Sequence, residues 1–242
     1  MKTCHSLVSL FFSLLICFQG TATPTVDVLP PAPAADSIPS GYTPPGPRSF
    51  LFPGSLMAYG ILKPVIPGIG KLDDRIWRSI STGYPNFSTH ADTYLQWAPG
   101  ASVFLLDAFK VRTSNGFRKH LAIEAGSLAF AGAAGFVMRR ISRGIPAFNT
   151  HPETQFPSGH TTNAFRGAEI LHQELKISHP VWSYSGYVVA TAVGLMRMYN
   201  KEHLLSEVIA GAGLGILSTR FTYWSLGLLE KRKRSRKSGS RP

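Results

Sequence analysis

Five long apolar segments constrain this chain most tightly. They cover residues 50–66, 94–111, 120–138, 181–199 and 204–229, with Pro, Gly and Asn clusters between them. Most are longer than ordinary strands and use Ala and Leu more than Val and Thr, and no alternating, Gly-flanked strand pattern accompanies them. The chain is therefore predicted to be all-α, a single bundle of about five to seven helices. Residues 161–175 add a helix of another character. Ala164, Phe165, Ala168, Leu171 and Leu175 recur at spacings of three and four, while Arg166, Glu169, His172 and Glu174 fall elsewhere. That spacing predicts one buried face and one wet face. The small-residue runs AIEAGSLAFAGAAGF (122–136) and IAGAGLG (209–215) predict close approach between helices.

A length of 242 residues suits one domain. Residues 1–22 join a lysine, an apolar run and small residues, the pattern of a signal peptide. Both cysteines, Cys4 and Cys17, fall there, so a chain cut after Ala22 has no thiol for a disulfide or a thiolate metal site. Residues 24–48 hold eight prolines and predict an extended linker over 23–49. The folded domain is expected over 50–229. Residues 230–242 are expected to be a basic disordered tail, with seven Lys and Arg in the last dozen positions.

A formal net charge of +12 points to an anionic partner. Export makes nucleic acid the poorer choice, leaving a phosphorylated substrate or an anionic membrane surface; no protein partner is readable. Mean hydropathy is only +0.04, and Glu124, Glu207 and Arg220 interrupt the apolar segments. A bundle that docks on or dips into a membrane is the expectation, with full spanning as the alternative.

Three clusters carry chemistry. In FPSGHTTNAFRGAEI (156–170), Ser158 and Gly159 precede a helix whose first N–H groups are unpaired, and His160 stands at its start. Such amides bind anions and the histidine can exchange a proton, although simple capping gives the same local pattern. In MRMYNKEHLLSEVIAG, His203 and Glu207 are four apart on what is expected to be one helix, a spacing that lets a carboxylate orient an imidazole. Arg197, before a polar turn, can fork onto two phosphate oxygens. Arg139, Arg140 and Arg143 form the third cluster, at the end of the Ala-rich helix. His90, Asp92, His120 and His151 lack spaced partners and are expected to be structural.

In order and spacing these clusters resemble the type 2 phosphatidic acid phosphatase superfamily, with its pattern KxxxxxxRP, PSGH and SRxxxxxHxxxD. PSGH is complete at residues 157–160, and the third motif reads MRxxxxxHxxxE from Met196 to Glu207. The similarity runs from about Asp74 to Trp224 and includes THADTYLQWAP, which is typical of an exported bacterial branch. The family shares its helical bundle with bacterial acid phosphatases and vanadium haloperoxidases. The resemblance implies a phosphatase needing no metal or other cofactor, acting on phosphomonoesters or pyrophosphates, lipid ones in view of the basic tail and apolar helices. It implies His203 as nucleophile and Glu207 as its partner. His160 becomes the acid on the leaving oxygen, and Arg197, Ser158 and Gly159 bind phosphate. The expected location is periplasmic or on a membrane facing the periplasm.

The first motif departs from the pattern. Counting back from PSGH puts Arg140 at the Lys position and Ala147 at the Arg position, and Pro146 follows Ile145. Arg143 is then the candidate substitute. Loss of a phosphate-binding arginine costs a few kcal/mol of transition-state stabilisation, roughly 100- to 1000-fold in rate. A weakened or inactive phosphate- or headgroup-binding relative is the alternative reading, and the haloperoxidase branch a third.

Overall fold

A computed structural model describes residues 43–239, with side chains to residue 229. The expected signal peptide and most of the expected linker lie outside the described residues. Among the described residues eight α-helices follow in order: α1 (Leu51–Ile61), α2 (Pro67–Gly83), α3 (Ala91–Leu95), α4 (Ala98–Ala108), α5 (Phe117–Ser142), α6 (Gly159–Leu175), α7 (Ser185–Tyr199) and α8 (Leu205–Gly239). Three short 3-10 turns precede α1, α6 and α7, and there is no strand among the described residues. The fold is all-α, as the segment pattern requires. Two helices arise outside the six segments recognised in the sequence. One is α2, opened by Pro67. The other is the single-turn α3. Both are too polar or too short to stand out as apolar runs.

The centre of the bundle is α6, on which α4, α5, α7 and α8 pack, while α1 packs along α8. Close contact is set by glycines of α8. A Cβ at Gly211 would lie 2.7 Å from the Ser158 carbonyl oxygen, and one at Gly213 would lie 2.7 Å from the Pro53 carbonyl oxygen. Each missing side chain lets another backbone pass, which is the close approach predicted from IAGAGLG.

The wet face expected of α6 is absent: Arg166, Glu169 and Glu174 are all buried. Each finds polar partners inside the bundle, as buried charge requires. Arg166 pairs with Glu124 and donates to Asn163 Oδ1 and to Ser127 Oγ. Glu169 accepts from Arg220 Nε at 2.8 Å, from Gln173 and from the Tyr187 hydroxyl. Glu174 accepts from the backbone and side chain of Asn115 and lies 3.0 Å from His120, which also meets Asp107 at 2.6 Å. His120 is thus structural, as expected. Helical periodicity showed which residues of α6 are apolar but not that its polar face would meet polar partners.

The outer surface has the opposite character. Leu121, Leu128, Phe136, Val137 and Ile141 of α5 are exposed, as are Val188 and Leu195 of α7. Among the described residues α5 is the one helix long and apolar enough to cross a membrane. The backbone of α8 stays helical through the basic segment to Gly239, where the sequence led us to expect disorder. Lys and Arg are good helix formers, and a helix C-terminus favours cations.

Removing one member of a buried pair strands the other. Glu169→Ala should lower stability by about 3–5 kcal/mol, read as a fall in the thermal unfolding midpoint in detergent. Glu169→Leu combined with Arg220→Met should recover most of that loss.

Candidate active site

The PSGH loop and the start of α8 are tied together before any side chain acts. The Ser158 N–H donates to the Glu207 carbonyl at 3.1 Å, and Gly211 admits the Ser158 carbonyl. Ser158 has the extended backbone of an N-cap residue, but its hydroxyl pairs with the Thr161 hydroxyl at 2.9 Å. No side chain caps α6. Its first amides therefore keep the anion-binding capacity expected of them. Gly159 is exposed beside them, and His160 is half-buried in the first turn.

His203 does not share a helix with Glu207 as its spacing suggested, because α8 begins two residues later, at Leu205. Glu207 reaches back from the first turn, with Oε2 2.8 Å from His203 Nδ1 and 3.3 Å from the Leu204 N–H. A glutamate three residues past a helix cap commonly makes this backward contact. That geometry brings a Glu carboxylate to the imidazole where the family pattern has Asp. Glu207 is fully buried and His203 nearly so. With Nδ1 directed to the carboxylate, the free lone pair of the neutral imidazole lies on Nε2.

Arg197, near the end of α7, is held from two sides. Its Nη1 donates to Asp92 Oδ2 at 2.8 Å, and its Nη2 pairs with Glu202. Asp92 is only 1% exposed. It was expected to be structural, and it is the buried anchor of the arginine. The turn between Arg197 and His203 is pinned from outside: Asn200 exchanges two hydrogen bonds with the Thr89 backbone, and the Lys201 ammonium donates to the Pro85 carbonyl at 2.6 Å.

Of the three arginines ending α5, only Arg139 turns to the loop. Its Nη1 lies 3.4 Å from where a Gly159 Cβ would stand. Arg140 is exposed, over the Phe136 ring, and Arg143 is exposed at the C-cap of α5. Arg139, Gly159, Pro157, Asn163, Arg166 and Leu214 border a pocket of about 110 Å³. The gapless count from PSGH favoured Arg140, but the α5 helix presents its neighbour.

Two further contacts were not legible in the sequence. Asp73 of α2 accepts from the Ser206 N–H at 2.9 Å and the Ser206 hydroxyl at 2.6 Å, and it pairs with the buried Lys63 at 3.3 Å. Asp74 meets His151 at 3.2 Å, and Trp77 packs against the His151 ring with centroids 4.4 Å apart. Helix α2 thus braces both chain segments that carry the histidines. No spacing rule links positions 73 and 206.

Burial pushes the His160 pKa below its ordinary value, and the positive charge of Arg197 adds to the effect; Asp92 and Glu202 oppose it. Among the described residues no group of three or more His, Cys, Asp or Glu side chains could hold a metal ion.

The PAP2 superfamily model matches residues 7–230. The chain belongs to the PAP2 superfamily. This PAP2 protein is 31% identical over 163 residues to a lipid A 1-phosphatase of Porphyromonas gingivalis, an alignment covering 65% of the chain and 36% of that relative. It therefore spans little more than a third of the curated relative it matches. A solved structure, the transmembrane PAP2-type phosphatidylglycerolphosphate phosphatase of Bacillus subtilis, is 22% identical. The alignment covers 74% of this chain and 96% of that one, with a TM-score of 0.43.

In an NMR titration, His160 should titrate below the ordinary histidine range. Arg197→Met should move it up by removing a positive charge, and Asp92→Asn should move it further down.

Proposed function

We propose that this PAP2 protein hydrolyses the phosphomonoester or pyrophosphate of a lipid through a phosphohistidine on His203. The observation that carries the reading is the His203–Glu207 pair, 2.8 Å apart, in a site whose Arg197 and His203 charges act on His160. In the reaction Nε2 of His203 attacks phosphorus while Glu207 stabilises the imidazolium that forms. His160 gives its proton to the leaving oxygen, then takes one from the water that cleaves the phosphoenzyme. Phosphate oxygens are held by Arg197, by the open amides of Gly159 and its neighbours with Ser158 at the cap, and by Arg139. Arg139 takes the place of the arginine missing from the first motif, and Arg140 and Arg143 bind no phosphate. The positive charge that this chemistry needs comes from arginines and amides, so the mechanism calls on no metal.

Two observations support a lipid substrate. The similar protein from Porphyromonas gingivalis is named for lipid A, and the apolar outer surface of α5 and α7 suits contact with acyl chains. We place the bundle against a membrane, with the histidines at its water-facing end on the side away from the cytoplasm. A lipid A-type 1-phosphate is the first substrate to test.

Brief reaction with labelled lipid phosphate and acid quench should trap label on the wild-type protein and none on His203→Ala; label retained by the variant would exclude His203 as nucleophile. A second series separates the arginines. Arg139→Ala should lower kcat/KM by about 100-fold or more, whereas Arg140→Ala and Arg143→Ala should stay within about threefold of wild type by released phosphate.

A further inference from the structure

Glu202 fills an unspecified position of the SRxxxxxHxxxD pattern, yet it touches the central arginine of the site. The two carboxylates on Arg197 are unlike. Asp92 is buried and takes Nη1, whereas the Glu202 side chain is 45% exposed and takes Nη2. Nε of Arg197 is buried with no hydrogen-bond partner among the described residues. Nε and Nη2 form the edge of a guanidinium that grips two oxygens side by side. Glu202 takes the Nη2 half of that edge, and no described side chain takes the Nε half.

Its placement is built in. Lys201 has φ of 63°, an uncommon left-handed conformation for a residue other than glycine, and turns the chain back so that the Glu202 N–H donates to the Arg197 carbonyl at 3.1 Å. Contacts of Asn200 with Thr89 and of Lys201 with Pro85 hold that turn, and Tyr199 packs between Tyr84 and Phe87. The Glu202 charge also acts on His160, against that of Arg197.

We propose that Glu202 competes with phosphate for the Nη2 edge of Arg197 and is displaced when a phosphate binds. The inference rests on the reading of Arg197 as a phosphate ligand. Whatever the Arg197–Glu202 pair contributes is subtracted from phosphate affinity, and the displaced carboxylate remains as a like charge beside the bound anion. Both effects weaken binding of inorganic phosphate and favour its departure after turnover. The buried Asp92 stays in place and keeps the guanidinium oriented throughout.

Isothermal titration of the full chain in detergent with inorganic phosphate, at constant ionic strength, tests this without turnover. Glu202→Gln should bind phosphate about fivefold more tightly than wild type, with the gain shrinking at high salt. Glu202→Asp should remain nearer wild type. In an Arg197→Met background the gain from Glu202→Gln should be smaller, because only the like-charge effect remains. The Glu202 side chain is about half-exposed, so the variant should keep its helical circular dichroism and unfolding midpoint. A folded Glu202→Gln that binds phosphate no more tightly than wild type would overturn the proposal. Arg197→Met binding phosphate as tightly as wild type would instead remove Arg197 from the site, and the proposal with it.

Discussion

The contact between the Ser158 carbonyl and Gly211 brings the two histidine-bearing segments of this protein together. Because α8 has no side chain at that point, the PSGH loop settles directly on its first turns, and the Ser158 N–H reaches the Glu207 carbonyl at 3.1 Å. Backbone, rather than flexible side chains, fixes how the two segments meet. Preorganisation of this kind is what a site needs if charge is to be stabilised without rearrangement. A larger residue at Gly211 would push α6 and α8 apart at the place where the chemistry requires them to touch.

Beside its apolar core, built around Val103, Ile123, Ile170 and Leu171, this bundle buries several charges and exposes part of its apolar surface. Arg166, Glu169, Glu174 and His120 form paired networks inside, while leucines, valines and phenylalanines of α5 and α7 face outward. Buried charges are tolerated because each is matched, and the matching ties α6 to α4, α5 and α8. The same logic recurs at the site. Asp92 anchors Arg197, Glu207 anchors His203, and Asp73 holds the first turn of α8 through Ser206. The acidic residues at these points act by fixing a cation, an imidazole or a helix end in place.

Much of the site was legible from short-range spacing. PSGH before a helix, Arg197 before a turn, and His203 four residues ahead of Glu207 were all found in the sequence, and the structure brings them to one end of the bundle. The less legible parts depend on partners far along the chain. Asp92 and Arg197 are 105 residues apart, and Asp73 and Ser206 are 133 apart. No periodicity connects such positions, so Asp92 read as a structural carboxylate with no link to Arg197. The arginine cluster was hard for a different reason. Gapless counting assumes that α5 and its following loop keep family length, whereas the direction a helical side chain faces changes by about 100° with each residue.

The sequence by itself determined that the chain is helical, where most of its helices lie, and which residues make up the PSGH and Arg197–His203–Glu207 motifs, because these follow from local composition and near-neighbour spacing. Tertiary structure alone decided that the polar face of α6 is internal, that Arg139 rather than Arg140 or Arg143 turns to Gly159, and that Glu202 shares Arg197 with Asp92. Each of these depends on which surfaces meet when helices pack. That choice is made by the fit of whole helices, with glycines admitting backbone and buried charges finding partners, and no single stretch of chain contains it.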